Sequence, residues 1–161
     1  MTNSSAVALI VIALALAGCA SSVRYTQRAV TSGATPLQQQ VLDAAAELVG
    51  TPYCRGGSTQ RCYDCSGYVQ AVFAAVGVLL PRSTLQQSYA GIAISRENLS
   101  AGDLVFFQFS GTKGRSHVGI YAGDGTIYHA SESRGVVRER LWETYLERAI
   151  IQFRRVLTDS R

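Results

Sequence analysis

The apolar and polar positions divide the chain into an unbroken apolar run at residues 6–17, a polar stretch, and a long segment of regular periodicity. From residue 37 the period is helical. Leu37, Val41, Ala44, Ala45, Leu48 and Val49 form one stripe, opened by Thr35-Pro36 and closed by Gly50. Val69, Val72, Phe73 and Val76 recur at i, i+3, i+4, i+7 and form a second, capped by Asp64 and broken at Gly77. Ser83 caps a third, short helix running through Gln87 and Tyr89. From residue 104 the period shortens. Residues 104–109 form an aromatic-rich strand buried on both faces at its start. Residues 118–121 and 126–130 form a hairpin around Gly123-Asp124-Gly125. Residues 134–140 make an edge strand, Trp142 and Tyr145 sit in a short helix or turn, and residues 149–156 form a last strand with Arg154 and Arg155 outward or at its end. Residues 51–63, rich in Gly, Pro and polar side chains, read as a loop. Helices come first and an antiparallel sheet follows. The fold class is α+β, with the second helix packed on the face of the sheet.

The apolar run is too short to span a bilayer, so residues 1–18 read as an export signal. Leu16-Ala17-Gly18-Cys19 resembles a bacterial lipobox. That resemblance implies lipidation of Cys19, and Ala20 behind it implies the periplasmic face of the outer membrane. The residues before the run carry no Lys or Arg, which departs from the usual signal. Residues 19–35 then become a lipidated cysteine with a flexible tether reaching roughly 20–25 Å, and residues 36–161 the domain. At 161 residues the chain is one domain plus short extras. The net charge of +4 comes from dispersed arginines and no compact basic run, and no motif supports nucleic-acid binding.

The candidate chemistry centres on Asp64-Cys65-Ser66-Gly67. It places a cysteine at the first position of a helix, where free N–H groups and the macrodipole are expected to lower its pKa. A cysteine nucleophile needs a base, and the chain has two histidines, His117 and His129. A two-residue hairpin loop would put them on opposite faces of the sheet. A three-residue loop, residues 123–125, places Gly119 opposite His129 and both histidines on one face. A working Cys/His/His set therefore predicts the three-residue loop, with Gly119 leaving room for the ring of His129.

These residues carry a family resemblance. Asp64-Cys65-Ser66-Gly67, His117-Val118-Gly119-Ile120-Tyr121, and a polar residue on the next strand resemble the NlpC-type, papain-like cell-wall cysteine peptidases. Gly50-Thr51-Pro52-Tyr53 with Gly56-Gly57, Leu80-Pro81-Arg82-Ser83-Thr84, and Gly102-Asp103-Leu104-Val105-Phe106-Phe107 match further segments in order. Within the family the chain is most similar to Spr-type murein endopeptidase lipoproteins. The resemblance implies a papain-like domain in which His117 is the base of Cys65 and His129 orients His117. It places Tyr53, Asp64, Ser66 and Arg82 around the oxyanion and the substrate, with Arg82 either meeting a substrate carboxylate or standing as an ordinary surface arginine, and Tyr53 either donating to the oxyanion or anchoring its loop. It implies hydrolysis of peptidoglycan stem peptides or cross-links through a thioester, at the D-alanyl–meso-diaminopimelyl or γ-D-glutamyl–diaminopimelyl bond. It implies no metal or organic cofactor, and a monomer is the default. The rival readings are a non-catalytic peptidoglycan-binding lipoprotein and an acyltransferase on the same scaffold.

Three cysteines fall within the domain: Cys54, Cys62 and Cys65. Cys62-Tyr63-Asp64-Cys65 is formally a redox motif, but the residues before it read as no strand. The C-x7-C-x2-C spacing fits no familiar zinc module. The preferred reading is a Cys54–Cys62 disulfide with Cys65 left free.

Overall fold

The structure is a computed structural model that describes residues 33–111 and 116–157. The expected signal, Cys19 and nearly all of the tether lie outside the described residues.

Helix α1 (Pro36–Glu47) starts on a reciprocal cap. The Thr35 hydroxyl accepts from the Gln38 N–H while the Gln38 side chain accepts from the Thr35 N–H. Its buried side chains are Val41, Leu42 and Ala45, with Leu37, Ala44 and Leu48 packed at the margin. Val49, expected in the stripe, lies past the end of the helix and is 46% exposed. Helix α2 (Cys65–Ala75) buries Ser66, Gly67, Tyr68, Val69, Val72 and Phe73. A third helix, α3 (Thr84–Gln87), is a single turn capped by the Ser83 hydroxyl. Between α1 and α2 the expected loop contains a short antiparallel ribbon, β1 (Ser58–Thr59) with β2 (Cys62–Tyr63). Two-residue strands leave no period to read.

The main sheet comprises β3 (Ile92–Ile94), β4 (Leu104–Gln108), β5 (Ser116–Tyr121), β6 (Thr126–Ser131), β7 (Gly135–Arg140) and β8 (Ile150–Arg155). Its order is β3-β8-β4-β5-β6-β7 and its pairs are antiparallel. The sequence pattern missed β3, and the last strand of the chain enters between β3 and β4. Alternation along β4 fills two cores. Leu104 and Phe106 pack with α1 and α2, while Val105 and Phe107 pack on the opposite face with Ile127, Leu141 and Leu146. Each such side chain, fully buried, contributes about 1.5–3 kcal/mol. Arg155 ends the strand, as one of the two expected placements had it, and turns inward: its Nε and Nη2 donate to the buried Asp103 carboxylate at 2.8 and 2.7 Å.

Strand β7 is one edge of the sheet, and residues 50–51 cover it. The Gly50 N–H donates to the Val136 carbonyl, and the Val136 N–H to the Thr51 carbonyl. The same segment runs on to β2: the Tyr63 N–H donates to the Pro52 carbonyl and the Cys54 N–H to the Tyr63 carbonyl. This bridge sets the position of Tyr53. Gly135 is required where the bridge meets β7, because a Cβ there would lie 2.4 Å from the Thr51 carbonyl oxygen and φ is +72°.

Candidate active site

Cys65 is the first residue of α2, and a brace of polar groups holds that end of the helix. Asp64 Oδ1 accepts from the Gly67 N–H at 2.7 Å. Arg82 donates to both oxygens of Asp64, Nη1 to Oδ1 at 2.9 Å and Nη2 to Oδ2 at 2.7 Å. It also donates to the Ser66 hydroxyl at 2.9 Å and to the Gly57 carbonyl at 3.0 Å. The guanidinium fork expected to meet a substrate carboxylate is thus engaged with a carboxylate of the protein itself. Ser66 joins the same brace, its hydroxyl donating to Asp64 Oδ1 at 3.2 Å. Burial pushes the Asp64 carboxyl up, but Arg82, the Gly67 N–H and Ser66 outweigh it and hold the group below the usual carboxylate range. The disulfide Cys54–Cys62, with Cα atoms 5.5 Å apart, closes the loop that carries Gly57. Its short loop accounts for about 2–3 kcal/mol on the chain-entropy model. Cys65 is the free cysteine of the described residues.

The thiol of Cys65 lies 3.5 Å from the Thr84 hydroxyl at the start of α3. Thr84 is nine-tenths buried and was not among the residues singled out from the sequence. Burial pushes the Cys65 thiol up, and the charge of Asp64 adds to this. The Thr84 hydroxyl and the backbone N–H groups of Val118 and Ser66 pull it down, by less. The net direction is opposite to the one expected at a helix N-terminus. The thiol is desolvated, and the capping carboxylate of Asp64 occupies the positive end of the helix.

His117 on β5 and His129 on β6 meet edge to face, with Nε2 of His117 2.8 Å from Nδ1 of His129. Their meeting rests on the hairpin. Ile120 pairs with Tyr128, Tyr121 with Ile127, and the Ala122 N–H donates to the Thr126 carbonyl. This leaves residues 123–125 as the expected three-residue loop. Gly119 has a different reason from the one expected. A Cβ there would meet Ile127 Cδ1 at 2.7 Å and the Tyr128 carbonyl oxygen at 2.8 Å, so it is the packing of β6 that demands glycine. Phe107 and Phe109 pack against the His117 ring, with centroids 5.8 and 6.0 Å away. Burial, and then the neighbouring His129, lower the His117 pKa to about 3.

Beyond His129 the chain of contacts continues to a residue the sequence did not single out. His129 Nε2 lies 2.5 Å from Glu139 Oε1. The same oxygen accepts from Arg134 Nη2 at 2.6 Å and from the Tyr145 hydroxyl at 3.3 Å. Burial lowers the His129 pKa, and Glu139 only partly restores it. Burial pushes Glu139 up, while His129 and Arg134 outweigh this and hold it below the usual range. His129 pairs with Val137, so Glu139 is its diagonal neighbour across the strands. That signal becomes visible once the β6–β7 register is known.

Cys65, Thr84, His117 and His129 line one cleft of about 920 Å³, together with Tyr53, Phe109, Glu132 and Tyr145. The Tyr53 hydroxyl donates to Glu132 Oε1 at 3.5 Å. Burial, then the charges of Cys65, Glu132 and Asp64, raise its phenol pKa, so the group is a proton donor at neutral pH. The arrangement offers a thiol, an imidazole with an oriented partner, and a phenolic donor facing one space. Those are the parts needed for acyl transfer at a carbonyl.

Comparison with known proteins is consistent with this geometry. A sequence model described as the NlpC/P60 family matches residues 50–155. The chain is 43% identical over 125 residues to the murein DD-endopeptidase MepS/murein LD-carboxypeptidase of Escherichia coli K12, a match covering 77% of this chain and 65% of that protein. It is 36% identical over 149 residues to the E. coli K12 protein named "Probable endopeptidase NlpC", covering 92% of this chain and 97% of that one. Among solved structures, an NlpC/P60 family protein from Bacillus cereus superimposes with a TM-score of 0.71 at 31% identity, over 78% of this chain and 42% of that one.

Proposed function

The chain belongs to the NlpC/P60 family, and from that premise we propose that it is a cysteine endopeptidase that cuts peptide bonds in peptidoglycan. One observation carries the reading: the half-buried Cys65 thiol shares a cleft with an imidazole, His117, whose Nε2 is held by a second ring. With Nε2–H donating to that ring, Nδ1 is the nitrogen that takes a proton. As Sγ of Cys65 attacks the scissile carbonyl, its proton passes to Nδ1 of His117. The carbonyl oxygen gains charge, and the phenol of Tyr53 donates to it. The resulting imidazolium protonates the leaving amine, and a thioester remains on Cys65. Water then attacks the thioester, giving one proton to His117. The acid departs and the thiol takes its proton back. His129 acts through His117, and the Arg82–Asp64–Ser66 brace acts through the placement of Cys65.

The E. coli relative named as a DD-endopeptidase supports the D-alanyl–meso-diaminopimelyl cross-link as the bond cut. We place the enzyme at the periplasmic face of the outer membrane, anchored as a monomer by lipid on Cys19; the lipobox-like Leu16-Ala17-Gly18-Cys19 supports this. Purified sacculi incubated with the chain, or with its Cys65→Ala variant, test the activity. Mass spectrometry of the soluble fragments is expected to show cross-linked dimers converted to monomers. The variant should be slower by at least about a thousandfold. Fragment profiles that match between the two proteins would overturn the proposal in favour of peptidoglycan binding. Added acyl groups in place of added water would indicate an acyltransferase.

A further inference from the structure

We propose that Glu139 is a positioning residue that sets the proton arrangement of both histidines, and so decides that Nδ1 of His117 is the base. The inference deepens the peptidase reading and rests on it for its meaning, although its main test does not.

A pair of neutral histidines joined nitrogen to nitrogen has two arrangements. Either Nε2–H of His117 donates to Nδ1 of His129, or Nδ1–H of His129 donates to Nε2 of His117. The two differ in the group presented to Cys65. In the first, Nδ1 of His117 carries a lone pair and can take the thiol proton. In the second, Nδ1 carries a hydrogen and cannot. Nothing in the pair itself selects between them. Glu139 does. An ionised carboxylate only accepts, so its 2.5 Å contact with Nε2 of His129 requires the hydrogen on Nε2. Neutral His129 then has a lone pair on Nδ1 and must accept from Nε2–H of His117. The selection passes through two rings.

The surroundings keep Glu139 ionised and in place. Arg134 donates to the same Oε1 at 2.6 Å, and the Tyr145 hydroxyl donates to it at 3.3 Å. His129 is 2% exposed, so water does not compete at its nitrogens. Once His117 is protonated during attack, the carboxylate also favours the positive charge on the pair. Removing the corresponding outer partner of a ligating histidine in metal sites costs about 10–100-fold, which sets the expected scale here.

The chain holds two histidines, so 15N-histidine labelling gives a spectrum of two rings. Long-range 1H–15N correlation at neutral pH is expected to show both in the Nε2–H form. Either ring found in the Nδ1–H form overturns the proposal on the unmutated protein, whatever becomes of the variants. Glu139→Ala is expected to populate the Nδ1–H form of His129. It should slow alkylation of Cys65 by iodoacetamide about 10–100-fold. On sacculi it should lower kcat with KM little changed. Glu139→Gln, whose carbonyl still accepts, should restore the Nε2–H form and part of the rate. A folded Glu139→Ala protein with parental tautomers and alkylation rate would reduce Glu139 to an ordinary strand ion pair. Spectroscopy and alkylation use no peptidoglycan. The expected tautomers in a protein that cuts no sacculi would therefore sustain this inference while overturning the peptidase reading.

Discussion

At Cys65 and His117 a desolvated thiol and a desolvated imidazole each favour the neutral form, one pushed up and the other down to about 3. At neutral pH they rest as thiol and imidazole, so in the proposed mechanism the ion pair forms only as the proton moves during attack. The same burial ties His117 to stability. An unfolded histidine takes a proton near pH 6.5, whereas folded His117 refuses one until about 3. Between those values the unfolded state binds more protons, so stability rises with pH and is lost on acidification. Asp64 and Glu139, held below the usual carboxylate range, act in the same direction at lower pH. Urea midpoints measured from pH 7 to pH 5 should therefore fall for the parent and fall less for His117→Asn. Parallel curves would show that His117 is not held neutral.

At the scale of elements, the first turn of α2 is built against the disulfide loop. A Cβ on Gly67 would sit 2.0 Å from the Gly57 carbonyl oxygen, itself held by the Asp64 N–H and Arg82. Gly67→Ala must push that carbonyl away and is expected to cost about 1–3 kcal/mol in denaturant unfolding. It should also lower the alkylation rate of Cys65, since Cys65 lies on the displaced turn. The elements that were legible in the sequence are those long enough to show a period or a cap. Thr35-Pro36, Asp64 and Ser83 each open a helix where expected. The loop of residues 123–125 followed from the need to bring two histidines together. Strand β3 and the ribbon β1–β2 were not legible, being two or three residues long. Glu139 was hidden because its relation to His129 exists only across a strand pairing. The direction of the Cys65 shift was hidden because it depends on burial, which no local pattern encodes.

At the scale of the molecule, one ion pair ties the entry of β4 to the exit of β8. Asp103 is 2% exposed and also accepts from the Ser100 N–H at 2.6 Å. Arg155 reaches it with two nitrogens and the Asn98 carbonyl with Nη2. Removing one member strands the other beside the core, a loss of about 3–5 kcal/mol for a buried pair. Arg155 is 29% exposed, so Asp103→Ala should fall at the lower end of that range. Because β4 and β8 are paired strands in the interior of the sheet, the loss should appear in the global unfolding transition while the tautomers of His117 and His129 in the folded protein stay unchanged. An Asp103→Ala protein as stable as the parent would show that the pair is replaceable.

The Cys54–Cys62 bond has a consequence for how the protein can be counted. Oxidised, the described domain offers an electrophile one free thiol, that of Cys65, the proposed nucleophile. Intact mass of the domain after labelling then counts accessible Cys65 thiols, one adduct per molecule. Reduction opens two further sulfurs, so the adduct number becomes a gauge of the compartment in which the protein was caught.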